Sequence, residues 1–261
     1  MSLTQRFYPE SRFGGFSDID GMVVFFSRVN ALLESTFVVL DVGCGRGAYG
    51  EDSVAYRRDL RILRGKVAKV IGIDVDPIGE SNRYLDEFRR VQGKEWPVED
   101  SSVDLIVCVN VLEHVVDPVD FFFELRRVLK DGGYLCLRTP NRWGYVAMVA
   151  SLVPNRLHAR FLSAVKGKIA PHDVFPTVYP CNTIRKLRRQ MIKAGFEAVV
   201  YGYDAEPSYL SFSTIAYWLG TLYQRFAPAV IRPALFVFGR IHKSAETATS
   251  ITAPKSSLSD R

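Results

Sequence analysis

The stretch VLDVGCGRGAYG, residues 39–50, decides how the rest of the chain is read. Phe37-Val38-Val39-Leu40 is a short unbroken apolar run, the composition of a strand buried on both faces. The run ends at Asp41 and enters a turn with glycines at 43, 45, 47 and 50. Glycine tolerates positive φ and lets a ligand approach the backbone. In an open α/β sheet, ligands bind beyond the carboxyl ends of the strands. Position and composition therefore both mark this turn as a small-molecule site. Gly45-x-Gly47-x-x-Gly50 also satisfies the dinucleotide pattern G-x-G-x-x-G. Asp41 counts against that reading. A diphosphate is held by backbone N–H groups and a helix dipole, and a carboxylate beside them repels it. Asp41 favours a ligand that carries positive charge.

Outward from this turn the pattern alternates. Residues 49–63 read as a helix and 67–73 as the next strand, ending at Asp74. Pro77 opens another helix with Asp76 as its cap. Residues 103–109 form an apolar, β-rich run. A helix starts at Asp117-Pro118 and runs to 129, where Asp131-Gly132-Gly133 stops it, and 134–137 form a strand. Asn182 caps a helix over 183–194, Gly195 ends it, 196–203 form a strand, and 234–238 a late one. This alternation predicts a doubly wound, Rossmann-like α/β sheet with helices on both faces. Residues 1–36, with a helix over 22–33, form an N-terminal helical cap. The main domain covers 37–243, with insertions at about 142–181 and 206–232. Residues 244–261 are Ser/Thr/Ala-rich and read as a disordered tail.

Composition narrows the class. The chain has 261 residues, 48% hydrophobic and 24% charged, ordinary values for one large globular domain. The four cysteines lie far apart, and four histidines show no ligand spacing, so neither a disulfide scaffold nor a metal site is expected. The N-terminus has no apolar signal segment, and a cytoplasmic location fits best. The net charge of +6 permits nucleic acid or anionic lipid as partner without demanding either. The clusters Arg57/Arg58/Arg61/Arg64 and Arg185/Lys186/Arg188/Arg189/Lys193 sit on predicted helices and read as solvated faces; nucleic acid is the disfavoured alternative.

Three blocks together resemble one family. VLDVGCGRG is similar, residue by residue, to the first motif of the class I S-adenosylmethionine-dependent methyltransferases. VIGIDVDP (70–77) looks like their second. WPVEDSSVDLIVCVNVLEHVVDP (96–118) with LRRVLKDGGYLCLRTPN (125–141) resembles their small-molecule branch. The resemblance covers roughly 37–141, then AGF at 194–196. It implies a seven-stranded sheet with a final antiparallel strand, and S-adenosyl-L-methionine as cofactor, whose sulfonium and ammonium suit Asp41. It implies that Asp41, Gly43, Cys44, Gly45 and Gly47 hold that cofactor. Asp74, with Val75 beside it, would bind the ribose hydroxyls; it lies 24 residues beyond Gly50, near the spacing of a ribose-binding acid. Asn110 would line the pocket. Gln92 stands where the family often has an acid against adenine, and an amide still hydrogen-bonds there.

Methyl transfer from an activated sulfonium needs mainly alignment, with a base for an acceptor of high pKa. The candidates are His114, His172, Asp173 or a tyrosine of the 142–181 insertion. His114 also reads as a packed histidine that shapes its loop. The expected acceptor is a small molecule, a glycan or a lipid-like compound, methylated on oxygen or nitrogen. No N-P-P-Y or D-P-P-Y tetrad is present, which disfavours base and amide methylation. The rival readings are an NAD(P)-dependent oxidoreductase, against which the chain has no Tyr-x-x-x-Lys pair, and an inactive cofactor-binding scaffold at a membrane surface. The uncharged aromatic segment from Pro207 opens peripheral membrane contact through 207–232.

Overall fold

Strands that are apolar on both sides need cover on both sides, and this requirement organises the molecule. The computed structural model describes residues 1–152 and 177–243. The strands are β1 (Val38–Val42), β2 (Lys69–Asp74), β3 (Glu87–Arg90), β4 (Val103–Val109), β5 (Leu129–Pro140), β6 (Phe196–Tyr203) and β7 (Ala234–Ile241). They form one sheet in the order β3-β2-β1-β4-β5-β7-β6. Only β7 runs against its neighbours. The helices are α1 (Leu3–Phe7), α2 (Gly21–Leu32), α3 (Ala55–Arg61), α4 (Pro118–Val128), α5 (Tyr145–Leu152), α6 (Ile184–Lys193) and α7 (Thr214–Phe226).

Successive strand residues point to opposite faces. Leu40, Val42, Ile106 and Cys108 join a core with Phe122 and Leu125 of α4 and Leu187 and Met191 of α6. Val39, Leu105 and Val107 join a second core with Phe25, Phe26 and Val29 of α2. Both cores are buried, which is the doubly wound arrangement. Two of its helices, α2 and α4, begin where carboxylates cap them. Asp20 Oδ1 accepts from Met22 N and Val23 N at 2.9 and 3.0 Å. Asp117 Oδ1 accepts from Val119 N at 2.9 Å, with Pro118 in the first turn.

Several local expectations change. The helix expected over 49–63 is a 3₁₀ turn, Ala48–Glu51, followed by the short α3. Asp52 Oδ1 accepts from Val54 N at 3.0 Å and turns the chain between them. The helix expected after Pro77 is a single 3₁₀ turn, Pro77–Ser81, capped by Asp76 as anticipated. Asn182 is not a cap: its Nδ2 donates to Thr139 Oγ1 at 2.6 Å and Pro140 O at 3.2 Å, and Thr183 caps α6. β5 is longer than 134–137 because Leu129 already pairs with Val103 before a register shift at the glycines. The 206–232 insertion contains α7 flanked by the 3₁₀ turns Ser208–Leu210 and Ala229–Ile231. The tail at 244–261 and the middle of the 142–181 insertion lie outside the described residues.

One buried ion pair fastens α4 to the loop before β4. Glu124 is 4% exposed. Its Oε2 accepts from Trp96 N at 2.6 Å and from Arg127 Nη2 at 2.7 Å, and its Oε1 accepts from Arg127 Nε at 2.8 Å. Burial alone raises this pKa, but Arg127 and the Trp96 N–H outweigh it and hold the carboxyl below its usual range. Its stabilisation is therefore present above the pKa of an unfolded glutamate and is lost as pH falls through the folded value. Glu124→Ala, which leaves Arg127 without its main partner, is expected to cost about 3 kcal/mol at neutral pH. A urea titration checks this; an unchanged midpoint would contradict it.

Candidate functional site

The glycine loop is held in shape by its neighbours. Gly43, Gly45 and Gly47 have φ of 70°, 50° and 76°, the left-handed region. Gly43 N and Cys44 N donate to Ile73 O at 2.8 and 3.3 Å. Gly45 N donates to Asp74 Oδ2 at 2.9 Å, while Asp74 Oδ1 accepts from Asp76 N at 3.0 Å. Asn82 Nδ2 donates to Cys44 O and Gly45 O at 3.1 and 3.2 Å. The glycines differ in what surrounds them. A Cβ at Gly43 would lie 2.3 Å from Val111 Cγ2, and one at Gly47 would lie 2.4 Å from Asn82 Oδ1. A Cβ at Gly45 would meet nothing within 4 Å. Gly45 is thus the part of the loop that faces open space.

Below the loop lies a cavity of about 120 Å³ lined by Asp41, Gly43, Cys44, Tyr49, Tyr84 and Asn110. Arg61 lines it too. The arginine was expected on a solvated face; instead it turns inward. Its guanidinium carbon lies 4.9 Å from the Tyr49 ring centre and 5.7 Å from that of Phe26, contacts of the cation–π kind. Its Nε has no hydrogen-bond partner among the described residues. Burial pushes the Asp41 carboxyl up to about 7, against the pull of the Arg61 guanidinium and with a further push from Asp74. Burial lowers the Arg61 pKa, and Asp41 opposes that. A carboxylate and a guanidinium thus share one desolvated space.

The other predicted residues fall as follows. Asn110 has φ 57°, and its Oδ1 accepts from Arg138 Nη1 at 2.8 Å. Asp74 is half-buried and Val75 exposed at the end of β2. Gln92 is exposed just past β3 and does not line the cavity. Burial raises the Cys44 thiol far above its usual range. His114 Nε2 lies 3.9 Å from Glu113 Oε1, in the turn after β4 and outside the cavity lining. His172 and Asp173 lie outside the described residues. The buried neighbour Glu113 had no assigned role. Its Oε2 accepts from Thr139 Oγ1 at 3.0 Å, and its backbone O accepts from Val178 N and Tyr179 N.

A second polar cluster stands beyond β6. Asp204 is 7% exposed, and its Oδ2 has no hydrogen-bond partner among the described residues. Burial pushes its carboxyl up to about 7, opposed by Arg232. That guanidinium is engaged by carbonyls, Nε to Ala227 O at 3.3 Å and Nη1 to Gly202 O at 3.4 Å. Tyr8, Tyr145 and Tyr223 feel the Asp204 charge, and burial raises all three phenols, Tyr8 to about 12. Arg138 joins this region to the cavity rim: it bonds Asn110 and feels Tyr209, which also acts on Tyr145. No periodicity or motif marks Arg61 or Asp204.

Comparisons with known proteins bear on the family and the fold. A family model described as "Methyltransferase domain" matches residues 19–201. A Mycolicibacterium smegmatis protein named "Probable S-adenosylmethionine-dependent methyltransferase" is 37% identical over 108 residues, 40% of this chain and 38% of its own length. A ubiquinone biosynthesis O-methyltransferase of Acinetobacter baumannii is 31% identical over 114 residues, 40% of this chain and 44% of its own length. The match thus spans less than half of these curated relatives. An Archaeoglobus fulgidus methyltransferase crystal structure dependent on S-adenosylmethionine superposes with TM-score 0.52 at 14% identity, over 90% of this chain and 99% of that one. Geranyl diphosphate C-methyltransferase of Streptomyces coelicolor, solved with S-adenosyl-L-homocysteine, gives 0.51 at 17%, over 84% and 75%. These two structures establish likeness of fold.

The contrast between glycines is testable. Gly43→Ala should destabilise the fold by more than the ~1 kcal/mol of a left-handed alanine, because Val111 must also move. Gly45→Ala should cost only about that 1 kcal/mol yet weaken S-adenosylmethionine binding at least tenfold. Denaturant midpoints and calorimetry read the two effects separately. Equal effects of both substitutions on stability and binding would refute the distinction.

Proposed function

The chain belongs to the methyltransferase-domain family, and from that premise we propose that it transfers a methyl group from S-adenosylmethionine to a small, glycan or lipid-like acceptor, on oxygen or nitrogen. The observation that carries the reading is that the Asp41 carboxylate and the Arg61 guanidinium line one cavity together with the glycine loop, in which Gly45 faces open space. An α-amino acid end carries an ammonium and a carboxylate. Asp41 is the partner for the first and Arg61, with its unpartnered Nε, for the second. The cavity of about 120 Å³ is short of the ~300–1,000 Å³ that enclose a whole ligand. It suits the amino-acid end, and the nucleoside end would lie along the open edge by Gly45 and Asp74. Both Asp74 oxygens already accept a backbone N–H and retain a lone pair each for ribose hydroxyls.

The same geometry weighs against a nicotinamide dinucleotide. The loop leads into a four-residue 3₁₀ turn, not into an α-helix whose dipole would favour a diphosphate. Asp41 and Asp74 add two carboxylates where that diphosphate would sit. The bound donor supplies a methyl already activated on a sulfonium. The protein's share is alignment and, for a hydroxyl or ammonium acceptor, removal of a proton. Of the described residues Asp204 is best equipped for that: buried, raised to about 7, with one oxygen unpartnered. The exposed apolar residues of the 207–232 segment favour a lipid-like acceptor and membrane contact through that segment.

Two measurements test this. Calorimetry with S-adenosylmethionine should give binding that Asp74→Ala weakens at least tenfold, while NAD(H) and NADP(H) give none. The ammonium needs an ionised Asp41, whose ligand-free pKa is about 7. Affinity should therefore fall about tenfold per unit as pH drops below that value, and Asp41→Asn should flatten the profile. Strong nicotinamide binding would overturn the reading. With methyl-labelled donor and lipid or glycan extracts as acceptor source, Asp204→Asn should lower turnover by about 10²–10⁴ at unchanged donor affinity; full turnover would remove Asp204 from the proton step.

A further inference from the structure

Two exposed elements with opposite chemistry are linked through the 3₁₀ turn Ala229–Ile231 at the β6–β7 end of the sheet. α6 buries Leu187 and Met191 and exposes Arg185, Lys186, Arg188, Arg189 and Lys193. None of the five makes an ion pair with a carboxylate among the described residues, and residues 177–196 contain no Asp or Glu. α7 buries Tyr217 and Gly220 on one face. On its opposite face Ile215, Trp218, Leu219 and Phe226 follow one stripe at helical spacing. Ile215 is 72% and Phe226 77% exposed. Segment 207–243 has no acidic residue either. Val230, exposed in the turn that follows α7 and four residues beyond Phe226, lines one groove with Arg185, Arg188, Arg189, Ile192 and Lys193 of α6.

We propose that α6 and α7 form a single docking platform for an anionic lipid bilayer, α6 binding the phosphate headgroups and α7 lying in the interface with its stripe among the acyl chains. Each half needs the other's partner. Exposed apolar residues in one continuous stripe call for an apolar phase, and a tryptophan suits the headgroup boundary. Five cations with no carboxylate partner among the described residues call for a surface of fixed negative charge, and each adds about fivefold to partitioning near such a surface. A nucleic acid would satisfy α6 and leave the stripe in water. A second copy of this chain paired through α7 would bring like charges of α6 together. No helix among the described residues is long and apolar enough to cross a membrane, so the contact is with one leaflet. The inference goes beyond methyl transfer and does not depend on it.

Co-sedimentation of the full chain with phosphatidylcholine vesicles, with and without phosphatidylglycerol, tests the platform. No methyl donor is present, so failure here leaves the methyltransferase reading standing, and the reverse. Pelleting is expected only with phosphatidylglycerol. The pair Arg185→Glu/Arg189→Glu should reduce partitioning at least tenfold, and Ile215→Ser/Trp218→Ser should do so as well. Unchanged S-adenosylmethionine binding or urea midpoints in both variants separate lost docking from lost folding. The proposal is overturned by no pelleting, by equal pelleting with neutral vesicles, or by loss in the α6 variant alone, which would mark a general polyanion site. It is also overturned if the α7 variant turns a dimer into a monomer without affecting vesicle binding.

Discussion

Parallel pairing of β1 with both β2 and β4 is the constraint from which the site follows. It places Asp41 opposite Gly72 on one side and Val107 on the other. Asp74 and Asn110 then emerge two and three residues further along, at the same edge of the sheet. The bond from Gly45 N to Asp74 ties the first loop to the second strand. The bonds between Asn110 and Arg138 tie the fourth strand to the fifth. Because β1 and β4 are covered on both faces, neither can slip by one residue without sending apolar side chains to the wrong core.

Desolvation sets the character of that edge. Asp41 and Asp204 are both pushed up to about 7 by burial, each beside an arginine that only partly compensates. A buried carboxylate without full partners is costly. Asp41 stands at the cavity and Asp204 among the tyrosines Tyr8, Tyr145 and Tyr223. Glu124 and Glu113 show the alternative. Their oxygens are taken up by Arg127, Trp96 and Thr139, and they fasten segments together. The same side-chain chemistry braces the fold where its hydrogen bonds are already made, and under the function proposed it is left for a ligand where they are not.

The edge opposite β3 has another economy. β6 and β7 close the sheet, and the chain between them spends its length on α7 rather than on a short turn. That segment covers Asp204 on one side and turns an apolar stripe outward on the other. The turn Ala229–Ile231 that follows α7 brings Val230 into a groove with the basic residues of α6.

What the sequence by itself determined is local or periodic. The strands over 103–109 and 196–203 occur where the apolar runs place them, because a run of β-branched residues between turn formers has few alternatives. The Asp76 and Asp117 caps and the strand–glycine turn are likewise legible, since they act within three or four residues. Only the tertiary structure decided the rest. The inward turn of Arg61 onto Tyr49 and Phe26 and the engagement of Asn182 with Thr139 depend on partners 12 to 43 residues away. Asp204 looks like any polar residue after a strand until α5, α7 and the N-terminal segment close around it. Burial of a charge is a property of everything packed against it, and no window of neighbouring residues contains that information.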